Sequence, residues 1–292
     1  MKQTPVVLIH GAWFHLSSWA GWAERFTAHG YAVSVPAWPG EADTADLVRR
    51  DPGPLRDLGL AELTAHYERI VRSFDRPPVL VGHSAGGLVA QHLLGAGHAR
   101  AAVAIAPLPA GGVPLDDRDR PRPWPRPRLW SPLPAGSIRY PSCEPLPRTR
   151  FRHVVANAVG EAESARLFDR YAVPAPFRLL ADLGLDGTGS AGTGSGGSGS
   201  TGTGSGGTVV DTANSARGPL LLVSGQEDRM VPDAVTRAVY KLYGDSSAVT
   251  GLKQFVDRGH SLVFDSGWRS VADHVLAWLA ANGVEAVGAA RD

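Results

Sequence analysis

Pro77-Pro78-Val79-Leu80-Val81-Gly82-His83-Ser84-Ala85-Gly86-Gly87-Leu88-Val89-Ala90-Gln91-His92-Leu93-Leu94 is the stretch that decides how the rest of the chain is read. Two prolines lead into a short apolar run, the pattern of a buried strand. Beyond the glycines, helix formers carry apolar residues at helical spacing. Between the two lies Gly-x-Ser-x-Gly, a turn from strand to helix so sharp that the serine backbone is strained. Gly82 and Gly86 lack a Cβ and so permit the turn, and Gly87 is expected to let the helix pass close to neighbouring strands. Ser84 then stands at the C-terminal edge of a sheet, over a helix N-terminus whose partial positive charge favours an anion. Alone the pattern is weak; between a strand and a helix it reads as an exposed nucleophile rather than a mere tight turn.

The same alternation extends in both directions. Val6 to Ile9 is a strand ending in His10-Gly11-Ala12-Trp13. Ser17 or Ser18 can cap the next helix, whose Trp19, Trp22, Ala23 and Phe26 share a face and which stops at Gly30. Tyr31 to Val35 is a second strand. Asp43 to Gly59, broken by Pro52, Gly53 and Pro54, reads as a loop. Leu60, Leu63, Tyr67, Ile70, Val71 and Phe74 mark an amphipathic helix leading back to the Ser84 strand, and Ala101 to Ile105 is a fourth strand. Strands alternating with helices imply an α/β fold with a parallel sheet covered on both faces.

At Pro107 the rhythm breaks. Prolines and arginines crowd the chain as far as Arg152, too many prolines for a regular helix or central strand. Short helical patterns come after it, Glu161 to Tyr171 the clearest. Residues 107–186 are expected to form a small cap inserted into a core made of 1–106 and 209–292. The arginine run, with Arg118 to Arg128 at its densest, reads as a solvated loop in preference to a site for an anionic group. Residues 187–208 are nearly all Gly, Ser and Thr, the composition of a flexible linker. Their formal Gly-x-Gly-x-x-Gly match at Gly192, Gly194 and Gly197 has no strand before it and no helix after it, so it does not read as a dinucleotide site.

After the linker, Pro219 to Ser224 is a strand, followed by Gly225 to Pro232, a helix opening at Pro232, a last strand Leu252 to Val256 and then Asp257-Arg258-Gly259-His260. A final helix places Trp268, Val271, Ala272, Val275, Leu276 and Leu279 inward and ends at Asn282-Gly283. The sheet therefore has six strands.

The chain's 292 residues carry a net charge of +1, which leaves no global footprint for nucleic acid or an anionic membrane. Cys143 is the only cysteine, so neither a disulfide framework nor a Cys-rich metal site is expected. The first apolar run is too short for a signal peptide or a membrane span, and the default expectation is a soluble, cytoplasmic protein. No pattern speaks to oligomeric state.

A serine hydroxyl needs an adjacent base to become a nucleophile, and that base needs an orienting acid. His260 follows the last strand and Asp228 the strand before it. Parallel strands bring both loops to the edge where Ser84 stands. Glu227 adjoins Asp228 and is the alternative acid; the spacing to Pro232 favours Asp228. The other histidines, His29, His66, His92, His98, His153 and His274, read as structural, and His10 as a turn-stabilising residue rather than a base.

The order Ser84, Asp228, His260 resembles that of the α/β-hydrolase fold, in its serine esterase and lipase-like branch. Gly82-His83-Ser84-Ala85-Gly86 looks like that family's nucleophile elbow, Gly225 to Pro232 like its acid loop, Gly259-His260 like its histidine loop, and His10-Gly11 like the dipeptide after its first core strand. The resemblance covers the chain apart from the cap and linker. It implies catalysis by Ser84, His260 and Asp228, with an oxyanion hole from the backbone N–H groups of Ala12 and Ala85. The family's other acid position, after the fourth core strand, holds Ala106, Pro107 and Leu108 here and supplies no carboxylate.

The resemblance further implies a hydrolase needing no cofactor and no metal, cleaving an ester, lactone or thioester of a small to medium apolar substrate. Trp13, His15, His83 and Met230 are expected to line its substrate site, with Phe14, Trp124 and Trp130 adding aromatic surface. The same triad serves acyltransferases and cyclases, and a non-catalytic ligand receptor on this fold is a further alternative. A serine at the elbow excludes aspartate-nucleophile dehalogenases and epoxide hydrolases. Ser261 stands where hydroxynitrile lyases of the family carry lysine.

Overall fold

The computed structural model describes residues 3–109, 143–185 and 209–286. In chain order the elements are strand β1 (Pro5–Ile9), α1 (Ala20–Ala28), β2 (Ala32–Ser34), α2 (Ala45–Arg50), α3 (Leu60–Arg72), β3 (Val79–His83), α4 (Ala85–Gly95) and β4 (Ala101–Ile105). Then come β5 (Cys143–Glu144), α5 (Arg148–Val154), α6 (Glu161–Tyr171), β6 (Ala175–Pro176), α7 (Phe177–Asp182), β7 (Leu220–Gly225), α8 (Asp233–Lys241), β8 (Thr250–Phe255) and α9 (Trp268–Ala281). Six strands form one sheet in the order β2-β1-β3-β4-β7-β8, every neighbouring pair parallel. β5 and β6 pair as a small antiparallel ribbon outside it.

Burial explains the sequence of the strands. β1, β3, β4 and β7 are buried along their whole length, as continuous apolar runs covered on both faces must be. The edge strand β8, Thr-Gly-Leu-Lys-Gln-Phe, is only half-buried throughout and tolerates a lysine for that reason. Because all six strands run the same way, the segments after β1, β3, β7 and β8 leave the sheet at one edge. Among the described residues no helix is long and apolar enough to cross a membrane.

Three local expectations are corrected. Residues 43–59 are not simply loop: Thr44 Oγ1 accepts a hydrogen bond from Leu47 N at 3.3 Å and starts α2, which the chain leaves before Pro52. No serine caps α1; instead His15 Nδ1 accepts from Ser17 N at 3.2 Å at the head of a 3₁₀ turn, Leu16–Trp19, that runs into the helix. The closest approach of α4 to a neighbouring strand is made by Gly86 more than by Gly87: a Cβ on Gly86 would lie 2.2 Å from Ile9 O of β1, and one on Gly87 would lie 3.1 Å from Pro107 Cβ, tight but less so. Of the expected 107–186 insertion, 110–142 lie outside the described residues, and with them Trp124, Trp130 and the arginines from 118 to 139; 186–208, which hold the Gly/Ser/Thr stretch, lie outside as well.

Candidate active site

Ser84 lies between β3 and α4, as the N-cap of α4, with φ 55° and ψ −115°. A side-chain-bearing residue there stores roughly 1–3 kcal/mol of strain, maintained only where the surroundings leave no alternative. Those surroundings are explicit. Ser84 N donates to Ile105 O at 2.9 Å, and Ser84 O accepts from Gly87 N at 3.0 Å and Leu88 N at 3.2 Å. A Cβ on Gly82 would lie 2.1 Å from Gly86 O, so the turn closes only with glycine at that position.

The loops after β7 and β8 meet beside this turn. His260 Nδ1 lies 2.7 Å from Asp228 Oδ2, with both side chains buried. The other carboxylate oxygen accepts from Met230 N and Val231 N, each at 2.8 Å. An ionised carboxylate only accepts, so the proton between them sits on Nδ1, which in a neutral ring leaves the lone pair on Nε2. Glu227, by contrast, is exposed and joins the site through its backbone alone: its N donates to Arg258 O at 3.0 Å and its O accepts from Asn157 Nδ2 at 2.8 Å. Ser84 Oγ and His260 Nε2 make no hydrogen bond among the described residues, to each other or elsewhere. A serine–histidine contact that is long in a free enzyme closes when substrate arrives.

His10 and Gly11, immediately after β1, form the third side. A Cβ on Gly11 would fall 2.8 Å from Ser84 Cβ, so the first loop runs directly over the serine. Neither Ala12 N–H nor Ala85 N–H, both in buried residues, has a hydrogen-bond partner among the described residues. Buried backbone donors are almost always paired, which sets these two N–H groups apart from the rest of the core.

The residues expected to line a substrate site are distributed differently. His15 has both ring nitrogens occupied, Nδ1 by Ser17 and Nε2 by Ala42 O at 3.0 Å, and holds the loop instead of facing a ligand. His83 donates from Nε2 to His260 O at 3.0 Å and lies against the His260 ring, centroids 4.5 Å apart. Burial first, then the neighbouring His260, holds its pKa well below the ordinary histidine value, so it is a neutral brace for the His260 loop. Trp13, at φ 66°, donates from Nε1 to Glu144 O at 3.0 Å. Met230 is buried in the acid loop, and its N–H serves Asp228. Ser261 donates from Oγ to buried Asp265 at 2.9 Å and so anchors the His260 loop.

An aromatic group closes over the two histidines. Phe14 lies 5.7 Å from His83, 6.1 Å from His260 and 5.1 Å from Phe264, centroid to centroid, and Tyr171 lies 5.3 Å from Phe264. Two polar residues at this edge belong to no motif in the sequence. Asn157 touches the acid loop through Glu227 O, and Glu41 pairs with His10. Only the Pro39-Gly40-Glu41 turn hints at the second, by placing a carboxylate where a sharp turn leads back toward the sheet.

A parallel six-stranded sheet with a strained serine at its third strand defines a class, and the sequence agrees. The profile of the alpha/beta hydrolase family matches residues 6–274, and the chain belongs to that family. No curated protein matches it in sequence. Among solved structures, a monoacylglycerol lipase from Paleococcus ferrophilus superposes with a TM-score of 0.62 at 17% identity, covering 95% of this chain and 94% of that one. A methylesterase from Arabidopsis gives a TM-score of 0.60 at 14% identity, covering 95% and 99%. A thioesterase domain from the curacin biosynthetic pathway gives 0.56 at 17%, covering 94% and 91%. At such identities the likeness shows a shared fold.

Proposed function

We propose that this protein is a serine hydrolase that cleaves a carboxylic ester, lactone or thioester of a small to medium apolar substrate through an acyl-enzyme on Ser84. His260 Nε2 takes the Ser84 proton as Oγ attacks the carbonyl carbon. Asp228 fixes the ring with its proton on Nδ1 and stabilises the imidazolium that forms. The carbonyl oxygen, now an oxyanion, accepts from the N–H groups of Ala12 and Ala85, an interaction worth ~10²–10³ in rate per donor. As the tetrahedral adduct collapses, His260 returns the proton to the departing alkoxide or thiolate. Water, deprotonated by the same nitrogen, then attacks the acyl-enzyme and frees Ser84. No cofactor or metal is needed for any step.

The observation that carries the reading is the 2.7 Å contact of His260 Nδ1 with a buried, doubly anchored Asp228, beside a serine held at φ 55°. The Phe14, Tyr171 and Phe264 rings support an apolar acyl or alcohol group, because rings packed round a reaction centre offer few polar partners. The fold's relatives, among them a methylesterase, a monoacylglycerol lipase and a thioesterase domain, act on the same bond classes.

A fluorophosphonate probe tests it directly: peptide mapping should find one adduct, on Ser84. Ser84→Ala should remain folded and lose ~10⁴–10⁶ in kcat on whichever member of a panel of p-nitrophenyl esters, lactones and acyl thioesters the wild type turns over best. An adduct on another serine, or a Ser84→Ala enzyme within tenfold of wild type, would overturn the assignment.

A further inference from the structure

The loop that carries Ala12 is gripped from behind by a buried acid. His10 follows β1, is buried, and stacks on Trp38 with ring centroids 4.4 Å apart and planes 19° apart. Its Nε2 lies 3.1 Å from Glu41 Oε2, and its Nδ1 lies 3.1 Å from Gly11 O. Both partners are acceptors, one a carboxylate and the other a carbonyl. A neutral imidazole has one N–H and can serve only one of them; serving both requires a proton on each nitrogen.

Glu41 is built to be the counter-charge. Its side chain is 1% exposed. Trp38 N donates to Oε2 at 3.1 Å and Leu16 N to Oε1 at 3.4 Å, so the carboxylate closes its own turn, whose Glu41 N also donates to Trp38 O at 2.9 Å. Gly40 makes that turn possible at φ 84°, where a Cβ would meet Pro54 O at 2.5 Å. Burial alone would raise the Glu41 carboxyl, but the His10 charge, the hydrogen bonds from His10 and Trp38 and the nearby His15 outweigh it and leave the pKa below its ordinary value. The other titratable group that faces this carboxylate is buried Tyr67, whose own pKa is raised by burial and then by the Glu41 charge.

Gly11 C=O and Ala12 N–H belong to the same planar peptide group, so whatever fixes the direction of the carbonyl fixes the N–H on the opposite side. A buried ion pair is a poor source of stability, since desolvation cancels most of its attraction; its best-attested use is to select one geometry. We propose that Glu41 is a positioning residue: it holds His10 as an imidazolium whose Nδ1–H clamps Gly11 O and thereby aims Ala12 N–H at the substrate oxyanion above Ser84. This rests on the proposed hydrolase reading, in which Ala12 is an oxyanion donor.

Three measurements test it. In long-range ¹H–¹⁵N spectra of the wild-type protein, both His10 ring nitrogens should carry protons; a single protonated nitrogen would overturn the proposal whether or not any variant folds. Glu41→Gln keeps the shape and removes the charge. It should lower kcat on the best p-nitrophenyl ester by about 10- to 100-fold with KM within about twofold, since an aimed donor is misdirected rather than deleted. It should weaken an aryl trifluoromethyl ketone, whose hemiketal oxygen occupies the oxyanion position, by the same factor. Unchanged kcat and unchanged ketone affinity, or a loss confined to KM, would refute the clamp. Failure of the hydrolase reading itself would show separately, as fluorophosphonate labelling away from Ser84 in the wild type.

Discussion

Replacing Asp228 by asparagine changes one oxygen into an NH₂ and leaves the shape intact, so the consequences can be worked from its contacts. Oδ1 holds Met230 N and Val231 N at 2.8 Å each, and Oδ2 holds His260 Nδ1 at 2.7 Å. An asparagine must choose. If its oxygen keeps the two backbone donors, its NH₂ faces Nδ1, the ring must present a lone pair there, and its proton moves to Nε2, where the base is needed. If the amide flips, the ring keeps its tautomer but two buried N–H groups face an NH₂, each at a cost of about 1–3 kcal/mol. The first arrangement wins, and the enzyme holds the wrong tautomer. The expected loss approaches ~10⁴ in kcat, about 5.5 kcal/mol of barrier, with the melting temperature little changed. Glu227→Gln is the control. Its side chain is exposed and its hydrogen bonds to the site are backbone ones, so kcat should stay within about threefold. Steady-state turnover of a p-nitrophenyl ester reads both. An Asp228→Asn enzyme within tenfold of wild type, or a Glu227→Gln enzyme that falls as far, would show that the acid has been misplaced.

Because burial holds His83 neutral well below the ordinary histidine range, log kcat/KM should fall on the acid side with a slope of one; a slope of two would show that His83 protonates there as well. Burial pushes the Cys143 thiol up to about 11, which leaves roughly one molecule in a thousand as thiolate at pH 8, so iodoacetamide should leave the folded protein's mass unchanged while alkylating it in urea. Gly86→Ala drives a Cβ to 2.2 Å from Ile9 O, a backbone atom of β1 that cannot step aside, and should cost about 3 kcal/mol or more in a denaturant titration; a loss under 1 kcal/mol would mean that helix α4 can slide.

Much of the fold is legible in the sequence because it is local. The Ser84 turn shows itself in a run of neighbours whose glycines have steric reasons to be there, and periodicity alone bounds α6 at Glu161 and Tyr171. Asp228 and His260 are readable at one remove, since both follow apolar strands and parallel strands share an exit edge. The features that escape have another physical character. The α2 helix is six residues long and rests on one threonine cap, too short for a period to emerge. His15 caps a turn with a ring nitrogen, a role usually taken by hydroxyls and carboxylates. Glu41 finds His10 31 residues away, and no spacing rule links them.

The segment 143–185 poses the same problem on a larger scale, because its ties to the three loops beside Ser84 join residues far apart in the chain, and no spacing rule links them. Val155 O accepts from Ser261 N at 3.0 Å, next to His260. Asn157 Nδ2 reaches Glu227 O, next to Asp228, and Glu163 accepts from Ser266 N at 2.6 Å further along the same loop as His260. Val173 N donates to Trp13 O, and His15 N to Tyr171 O, each at 3.0 Å, with Phe14 bridged to Ala172 between them. One continuous stretch of chain thus contacts the loops after β1, β7 and β8, which also meet one another through the Asp228–His260 pair and the Phe14 ring. Composition suggests a cap laid over a finished core. The contacts describe a brace across the three loops, so a substitution at Asn157 or Glu163 should lower turnover without touching Ser84 or His260, and unchanged kcat in both variants would show that the loops hold their places without it.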